Sequence, residues 1–173
     1  MRPSACRALR AMTKAARSTP VGDGAHVGEV AHVDDEARGS AMKPTVVAID
    51  GPAGAGKSTI AKALALALGI EYLDTGAMYR GVTFEVLKRG LEATHVEAVA
   101  RVARTIRFVQ TRDSLQVNDV DATAAIRTAE VDAAVSHVAA NSAVREEMRS
   151  RQRQWIADHG GGVVEGRDIG SVV

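Results

Sequence analysis

The chain has 173 residues, of which 46% are hydrophobic, so it is long enough to form one domain with a sizeable core. Lysine and arginine total 22 against 21 aspartate and glutamate residues, so the net charge is too small to attract nucleic acid or an anionic membrane. The single cysteine, Cys6, excludes an internal disulfide and fits a reducing compartment. No apolar run approaches the roughly 20 residues that a membrane-spanning helix needs. We therefore expect a cytoplasmic protein that binds neither nucleic acid nor membrane.

Residues 1–43 differ in composition from the rest of the chain. An Arg/Ala-rich opening gives way to a stretch rich in glycine, histidine and acidic residues, without apolar periodicity. The basic opening is similar to a transit peptide, but the acidic stretch behind it fits that interpretation poorly, and a true start at Met42 is an equally good alternative. We expect a disordered extension over residues 1–43 and a folded domain over residues 44–173.

The folded part begins with a strand, a glycine-rich loop and a helix. Residues 45–49 read Thr-Val-Val-Ala-Ile and predict a buried parallel strand. Residues 51–58 read Gly-Pro-Ala-Gly-Ala-Gly-Lys-Ser, the pattern of a P-loop. A helix with an apolar stripe of Ile60, Leu64 and Leu68 follows and ends at Gly69. In a P-loop the backbone N–H groups turn toward a phosphate, Lys57 reaches the β- and γ-phosphates, and the Ser58 hydroxyl ligates Mg²⁺. The alternative is a glycine-rich turn that binds nothing.

The following elements come in the order strand, helix, insertion, strand. Residues 70–73 predict a strand and residues 78–90 a helix closed by Gly90. A helix near 95–104 and two apolar runs flanking Thr-Arg-Asp-Ser predict an α+β insertion with a hairpin. Two more amphipathic helices follow, the second carrying Trp155 as a core residue, and a last strand begins near Val163.

These elements predict an α/β fold with a parallel sheet and an α+β insertion at about residues 90–150. Three core strands are recognisable, whereas a P-loop α/β domain normally has more, so at least one sheet edge would stay open. We infer that the sequence is a partial domain in which the last core strands are missing.

Three polar clusters occur where predicted strands or helices end, which is where open α/β sheets bind their ligands. In the first, Thr75 can cap a helix and Arg80 lies one turn further, a pair that suits a phosphate, although an ordinary cap with a solvated arginine is the alternative. The second consists of Arg127, Ser136 and Arg145, which are unremarkable singly.

The third cluster, residues 165–168, reads Glu-Gly-Arg-Asp and closes the last predicted strand. Glu165 is placed to hold a water on Mg²⁺, and Arg167 is placed to meet a phosphoryl oxygen. A salt-bridged turn without function is the alternative for this cluster.

Taken in order, the motifs resemble those of bacterial cytidylate kinases over about residues 45–173. The P-loop alone would indicate only a superfamily, but the ordered set with its intervals is specific to this family. The blocks that carry the resemblance are AIDGPAGAGKST at 48–59, YLDTGAMYR at 72–80, IRT at 126–128, VSHVA at 135–139, VRE at 144–146 and EGRDIG at 165–170. The resemblance implies a P-loop nucleoside-monophosphate-kinase-like fold and phosphoryl transfer from Mg²⁺-ATP to CMP or dCMP.

The resemblance also implies roles for individual residues. Lys57 and Arg167 would be catalytic, and Mg²⁺ would be held by Ser58 and, through water, by Glu165. ATP would be bound by Gly51, Pro52, Ala53, Gly54, Ala55, Gly56, Lys57, Ser58 and Thr59. CMP would be bound by Thr75, Arg80, Arg127, Ser136, Arg145, Arg167 and Asp168.

Cytosine chemistry supports the base-binding part of this set. A carboxylate such as Asp168 can accept from the N4 amino group, while Arg145 and Ser136 can donate to N3 and O2. Members of the family continue into further core strands, an arginine-rich lid and C-terminal helices that this sequence lacks. The alternatives are therefore a nucleotide-binding fragment without turnover, or a P-loop kinase for another small acceptor. The family implies a monomer.

Overall fold

The structure, a computed structural model, describes residues 45–173. The predictions made for residues 1–43 lie outside the described residues. The strands are β1 (Thr45–Asp50), β2 (Tyr72–Asp74), β3 (Phe108–Gln110), β4 (Leu115–Val117), β5 (Val120–Asp121) and β6 (Gly161–Gly166). The helices are α1 (Lys57–Leu68), α2 (Thr75–Lys88), α3 (Val96–Thr105), α4 (Ala129–Ala140), α5 (Ser142–His159) and α6 (Ile169–Val172), with a 3-10 turn at Ala125–Arg127.

A parallel three-stranded sheet of order β1-β6-β2 confirms the predicted α/β fold. The last strand lies in the middle, and every residue of β6 is buried. In the register of the sheet, Asp50 lies beside Gly166, and Asp74 lies beside Glu165. Because the carboxyl ends of parallel strands meet at one edge, the glycine-rich loop and the residues after β2 and β6 become neighbours.

Helix α1 ends as predicted, because Gly69 adopts a left-handed conformation with φ 64°. The face that α1 buries consists of Ala61 and Ala65, whereas Ile60 and Leu68 are exposed. Small side chains let the helix approach the sheet closely, so Ile60 and Leu68 of the predicted stripe project outward, while Leu64 is partly buried.

The expectation that Thr75 caps α2 is wrong. Asp74 is the N-cap residue, and its carboxylate accepts a hydrogen bond from the backbone N–H of Ala77 at 2.9 Å. Thr75 is already helical, and its hydroxyl donates to the carbonyl of Glu165 at 2.8 Å. A carboxylate accepts better than a hydroxyl at a positive helix end, so the aspartate takes the cap, and the threonine ties α2 to β6.

The insertion contains the predicted hairpin within a second, antiparallel sheet of order β3-β4-β5. The short strand β5 is a feature that the sequence analysis missed. It follows a tight turn in which Asn118 and Asp119 have positive φ angles of 47° and 67°. The sheet packs closely on α2, since a Cβ atom at Gly81 would lie 2.7 Å from the ring of Phe108.

The main hydrophobic core lies between α2, α3, α5 and the second sheet. Its fully buried members include Val82, Val86, Val99 and Met148. Trp155, predicted to be a core residue, is half-buried at the margin of this core and stacks on His159 with 4.4 Å between ring centroids. Over residues 45–173, no helix is long and apolar enough to cross a membrane.

Candidate functional site

The glycine-rich loop connects β1 to α1 and is exposed over residues 52–56. Gly54 and Gly56 adopt left-handed φ angles of 80° and 77°, which side chains other than glycine rarely adopt. Lys57 begins α1 and folds back over the loop, where its ammonium group donates to the carbonyl of Pro52 at 2.7 Å. A phosphate can replace that carbonyl as the partner of the ammonium group and gain a charge-assisted bond.

A cavity of about 590 Å³ opens beside the loop. Ala53 of the loop lines one end, so this cavity adjoins the place where the loop would hold a phosphate. All the residues predicted to bind the acceptor line the cavity, with the exception of Arg127. They are Thr75, Arg80, Ser136, Arg145, Arg167 and Asp168.

Arg127 lines a different cavity. It ends the 3-10 turn and lines a separate cavity of about 30 Å³, together with Lys62 of α1 and Asp113 of the hairpin. The Ile-Arg-Thr block contacts a residue of the larger cavity through its backbone, because the carbonyl of Ile126 accepts a hydrogen bond from Arg80 at 2.9 Å.

Three further cavity residues with polar side chains were not predicted: Tyr79, Arg149 and Gln152. Arg149 and Gln152 lie four and seven residues after Arg145 on α5, which puts all three on one helix face. That spacing from Arg145 was the signal in the sequence. Burial raises the pKa of Tyr79, and the positive charges of Arg145 and Arg149 oppose the shift, so this wall of the cavity is cationic.

The turn that carries Arg167 and Asp168 is held by Asp50, at the end of β1. The carboxylate of Asp50 accepts from the backbone N–H groups of Ile169 and Gly170, at 2.6 and 3.0 Å. This link joins the start of the loop to one wall of the cavity. No pattern in the sequence identified this role, since it depends on β1 and β6 being neighbours.

Glu165 lies at the end of the central strand and is only 3% exposed. One of its carboxylate oxygens accepts from the phenol of Tyr72 at 2.5 Å, and the other is buried without a partner among the described residues. Burial raises the pKa of Tyr72 strongly, and the hydrogen bond to Glu165 adds to the shift. Burial also raises the pKa of Asp74, with a contribution from the charge of Glu165.

The unpartnered oxygen of Glu165 indicates whether the site suits Mg²⁺. A buried acceptor without a donor is costly, and a water molecule on a magnesium ion would satisfy it. Within residues 45–173, no group of three or more histidine, cysteine, aspartate or glutamate side chains could hold a metal. The free oxygen of Glu165 fits a water molecule on a magnesium ion.

A glycine-rich loop and an arginine-lined cavity at the carboxyl edge of a three-stranded parallel sheet define a P-loop kinase-like α/β fold. A family model described as cytidylate kinase matches residues 47–173. The chain therefore belongs to the cytidylate kinase family, as the motifs had indicated.

Curated relatives agree with this assignment. A cytidylate kinase of Mycobacterium leprae (strain Br4923) is 46% identical over 132 residues, which are 76% of this chain and 59% of the relative. A cytidylate kinase of Anoxybacillus flavithermus (strain DSM 21510 / WK1) is 46% identical over 136 residues, 76% of this chain and 60% of the relative. A bifunctional pantoate ligase/cytidylate kinase of Synechococcus sp. (strain RCC307) is 51% identical over 133 residues, 74% of this chain and 26% of the relative. The chain thus spans less than two thirds of the length of each of these relatives.

Proposed function

We propose that this chain binds Mg²⁺-ATP on the glycine-rich loop and CMP or dCMP in the adjoining cavity, and transfers the γ-phosphate to give CDP or dCDP and ADP. The observation that carries the proposal is the continuity of the cavity. It runs from Ala53 of the loop to Ser136 and Arg145 on the helices of the insertion, so an acceptor can reach the donor phosphates. The names of the curated relatives support the same activity.

In this proposal the acceptor phosphate lies toward the loop, near Arg80 and Arg167, and the base lies against Ser136, Arg145 and Asp168. The hydroxyl of Thr75 already donates to the backbone carbonyl of Glu165, so the hydroxyl oxygen is left as an acceptor for a ribose hydroxyl.

The proposed base site favours cytosine over uracil. The carboxylate of Asp168 would accept from the N4 amino group of cytosine but would face the O4 acceptor of uracil. Sites of this kind discriminate by up to about 10⁴-fold when a buried polar group is left unpaired.

The proposed chemistry is an in-line displacement. An oxygen of the CMP phosphate attacks the γ-phosphorus, the bond from that phosphorus to the β,γ-bridging oxygen breaks, and ADP leaves with the electron pair. Lys57 and Arg167 would stabilise the negative charge on the transferring group, and no general base is needed. Ser58 would ligate Mg²⁺ and Glu165 would hold one of its waters, and the ion would neutralise charge on the β- and γ-phosphates.

Several finer assignments belong to the same proposal. They are a cytoplasmic location, a monomeric state, a contact of Arg127 with the nucleotide, and the division into an extension over 1–43 and a kinase domain over 44–173 with an insertion at about 90–150. The small cavity of Arg127 lies apart from the larger one, so its contact would require a side-chain movement.

The test is coupled ADP release by the purified chain with Mg²⁺-ATP and CMP, dCMP, UMP or AMP as the acceptor. We expect release with CMP and dCMP, little with UMP and AMP, and a loss of about 10³-fold in Lys57→Met. CMP binding without release would favour the alternative of a fragment without turnover. Faster release with UMP or AMP than with CMP would contradict the cytosine site.

A further inference from the structure

The guanidinium group of Arg80 is held from one side by two acceptors. Its Nη1 nitrogen donates to the backbone carbonyl of Ile126 at 2.9 Å and lies 2.6 Å from a carboxylate oxygen of Asp132. Ile126 belongs to the 3-10 turn and Asp132 to the first turn of α4, so both acceptors come from the insertion. Arg80 itself comes from α2 and lines the large cavity.

The choice of nitrogen determines which edge of the guanidinium is left for a ligand. Nη1 donates one hydrogen bond to the Ile126 carbonyl and forms an ion pair with Asp132. The opposite edge, formed by Nε and Nη2, offers two parallel N–H groups that fit two oxygens of a phosphate. The two contacts therefore restrict the rotation of the guanidinium group, and neither of them uses this edge.

We propose that Asp132 is a positioning residue for the acceptor phosphate: with the carbonyl of Ile126 it holds Arg80 so that the Nε and Nη2 edge meets the phosphate in the cavity. This inference rests on the proposed function, in which Arg80 contacts that phosphate. Stability is a poor explanation of the pair, because the side chain of Asp132 is 54% exposed and ion pairs of that kind contribute little. Holding a long side chain in its bound rotamer, in contrast, favours ligand affinity directly.

The carboxylate also has an opposing effect, because its negative charge repels a phosphate nearby. Two substitutions separate positioning from charge. Asp132→Asn keeps an oxygen acceptor for Arg80 and removes the charge, so we expect it to bind CMP at least as tightly as the unaltered chain. Asp132→Ala removes both, so we expect it to bind CMP about three- to tenfold more weakly than Asp132→Asn, the range that one immobilised side chain gives.

The experiment is calorimetric titration of the full chain and its variants with CMP and with cytidine, which lacks the phosphate. Glu130→Ala is the matched control, because Glu130 is the other acidic residue in the first turn of α4. It removes the same charge from the same helix end without touching Arg80, so we expect CMP affinity to stay within about twofold. Cytidine affinity should be the same in all these variants, and Arg80→Ala should weaken CMP binding but not cytidine binding.

Equal CMP affinities in Asp132→Ala and Asp132→Asn would overturn the inference. Parallel losses for CMP and cytidine would overturn it too, since they would indicate damage to the cavity rather than to the phosphate contact. If Arg80→Ala binds CMP normally, Arg80 is not a phosphate ligand, and the inference fails while CMP binding stands. Absence of CMP binding by the unaltered chain would contradict the proposed function itself.

Discussion

The two ligand-facing regions of the molecule are packed against hydrophobic clusters of different size. The acceptor cavity is built on α2, α4 and α5, which share the main core with α3 and its fully buried valines. The glycine-rich loop rests on β1 and α1, whose core is a small cluster of Ala61, Ala65, Tyr72 and Val163. On the outer side of α1, Ile60, Leu66 and Leu68 are 61%, 65% and 53% exposed.

This difference indicates how each region is stabilised. Burial of apolar area holds the acceptor side together, since that term scales with the area removed from water. The loop side depends more on polar links between neighbouring strands, from Asp50 to the turn after β6 and from Tyr72 to Glu165. We expect the loop side to open first in native-state hydrogen exchange, because it has fewer buried apolar contacts.

The largest effect is expected from a cavity in the main core. Met148 is fully buried, so Met148→Ala should lower the free energy of unfolding by about 2–5 kcal/mol. Leu66→Ala removes an apolar side chain that is 65% exposed and should change that free energy by less than about 0.5 kcal/mol. Denaturant unfolding measures both, and similar losses in the two variants would contradict the contrast between the regions.

A smaller effect is expected from the polar link on the loop side. Tyr72→Phe removes the donor of the 2.5 Å bond and leaves both oxygens of Glu165 without a partner, which should destabilise the chain by about 1–3 kcal/mol. Tyr79→Phe is the matched control, with an expected change of less than about 0.5 kcal/mol. If Tyr72 holds the Glu165 carboxylate so that its free oxygen meets Mg²⁺-ATP, Mg²⁺-ATP should raise the melting temperature of the unaltered chain more than that of Tyr72→Phe. Equal shifts in melting temperature would contradict the positioning of Glu165 by Tyr72.

The sequence predicted the elements of the loop side, because their signals are local. The burial of β1 was predicted wrongly, since it is an edge strand whose residues are exposed or half-buried. The β-branched run before the loop, the glycines at 51, 54 and 56, and the left-handed Gly69 each act through neighbouring residues. The buried face of α1 was not predictable in the same way. Its large residues suggested a stripe through Ile60, Leu64 and Leu68, but close packing on the sheet buries the alanines fully and only Leu64 partly.

The acceptor side was predicted from motifs, and the contacts between them depend on tertiary structure. Resemblance identified Arg80 as a site residue, but not the carbonyl and the carboxylate that hold it, since they lie 46 and 52 positions further along the chain. Arg127 shows the opposite case. The sequence motif was recognised, but it contacts Arg80 through the backbone carbonyl of Ile126, and the side chain of Arg127 lines the small cavity.

Gln152 allows the acceptor side to be tested by a group that resemblance did not suggest. It is 2% exposed and lines the cavity, so a ligand in the cavity can contact it while little of it is exposed to solvent. Glu165 has the corresponding position on the loop side, with a buried oxygen that a metal-bound water would satisfy.

Since a ligand that pairs with a buried amide gains about 0.5–1.5 kcal/mol, we expect Gln152→Leu to weaken CMP binding by about two- to tenfold. Gln154→Leu is the control, because Gln154 is exposed on the same helix and donates to Asp158 at 2.6 Å. Unfolding free energies measured beside the CMP affinities separate lost packing from lost pairing. An unchanged affinity in Gln152→Leu would exclude the amide from the nucleotide contacts, and the acceptor site would then depend on its arginines, Ser136 and Asp168.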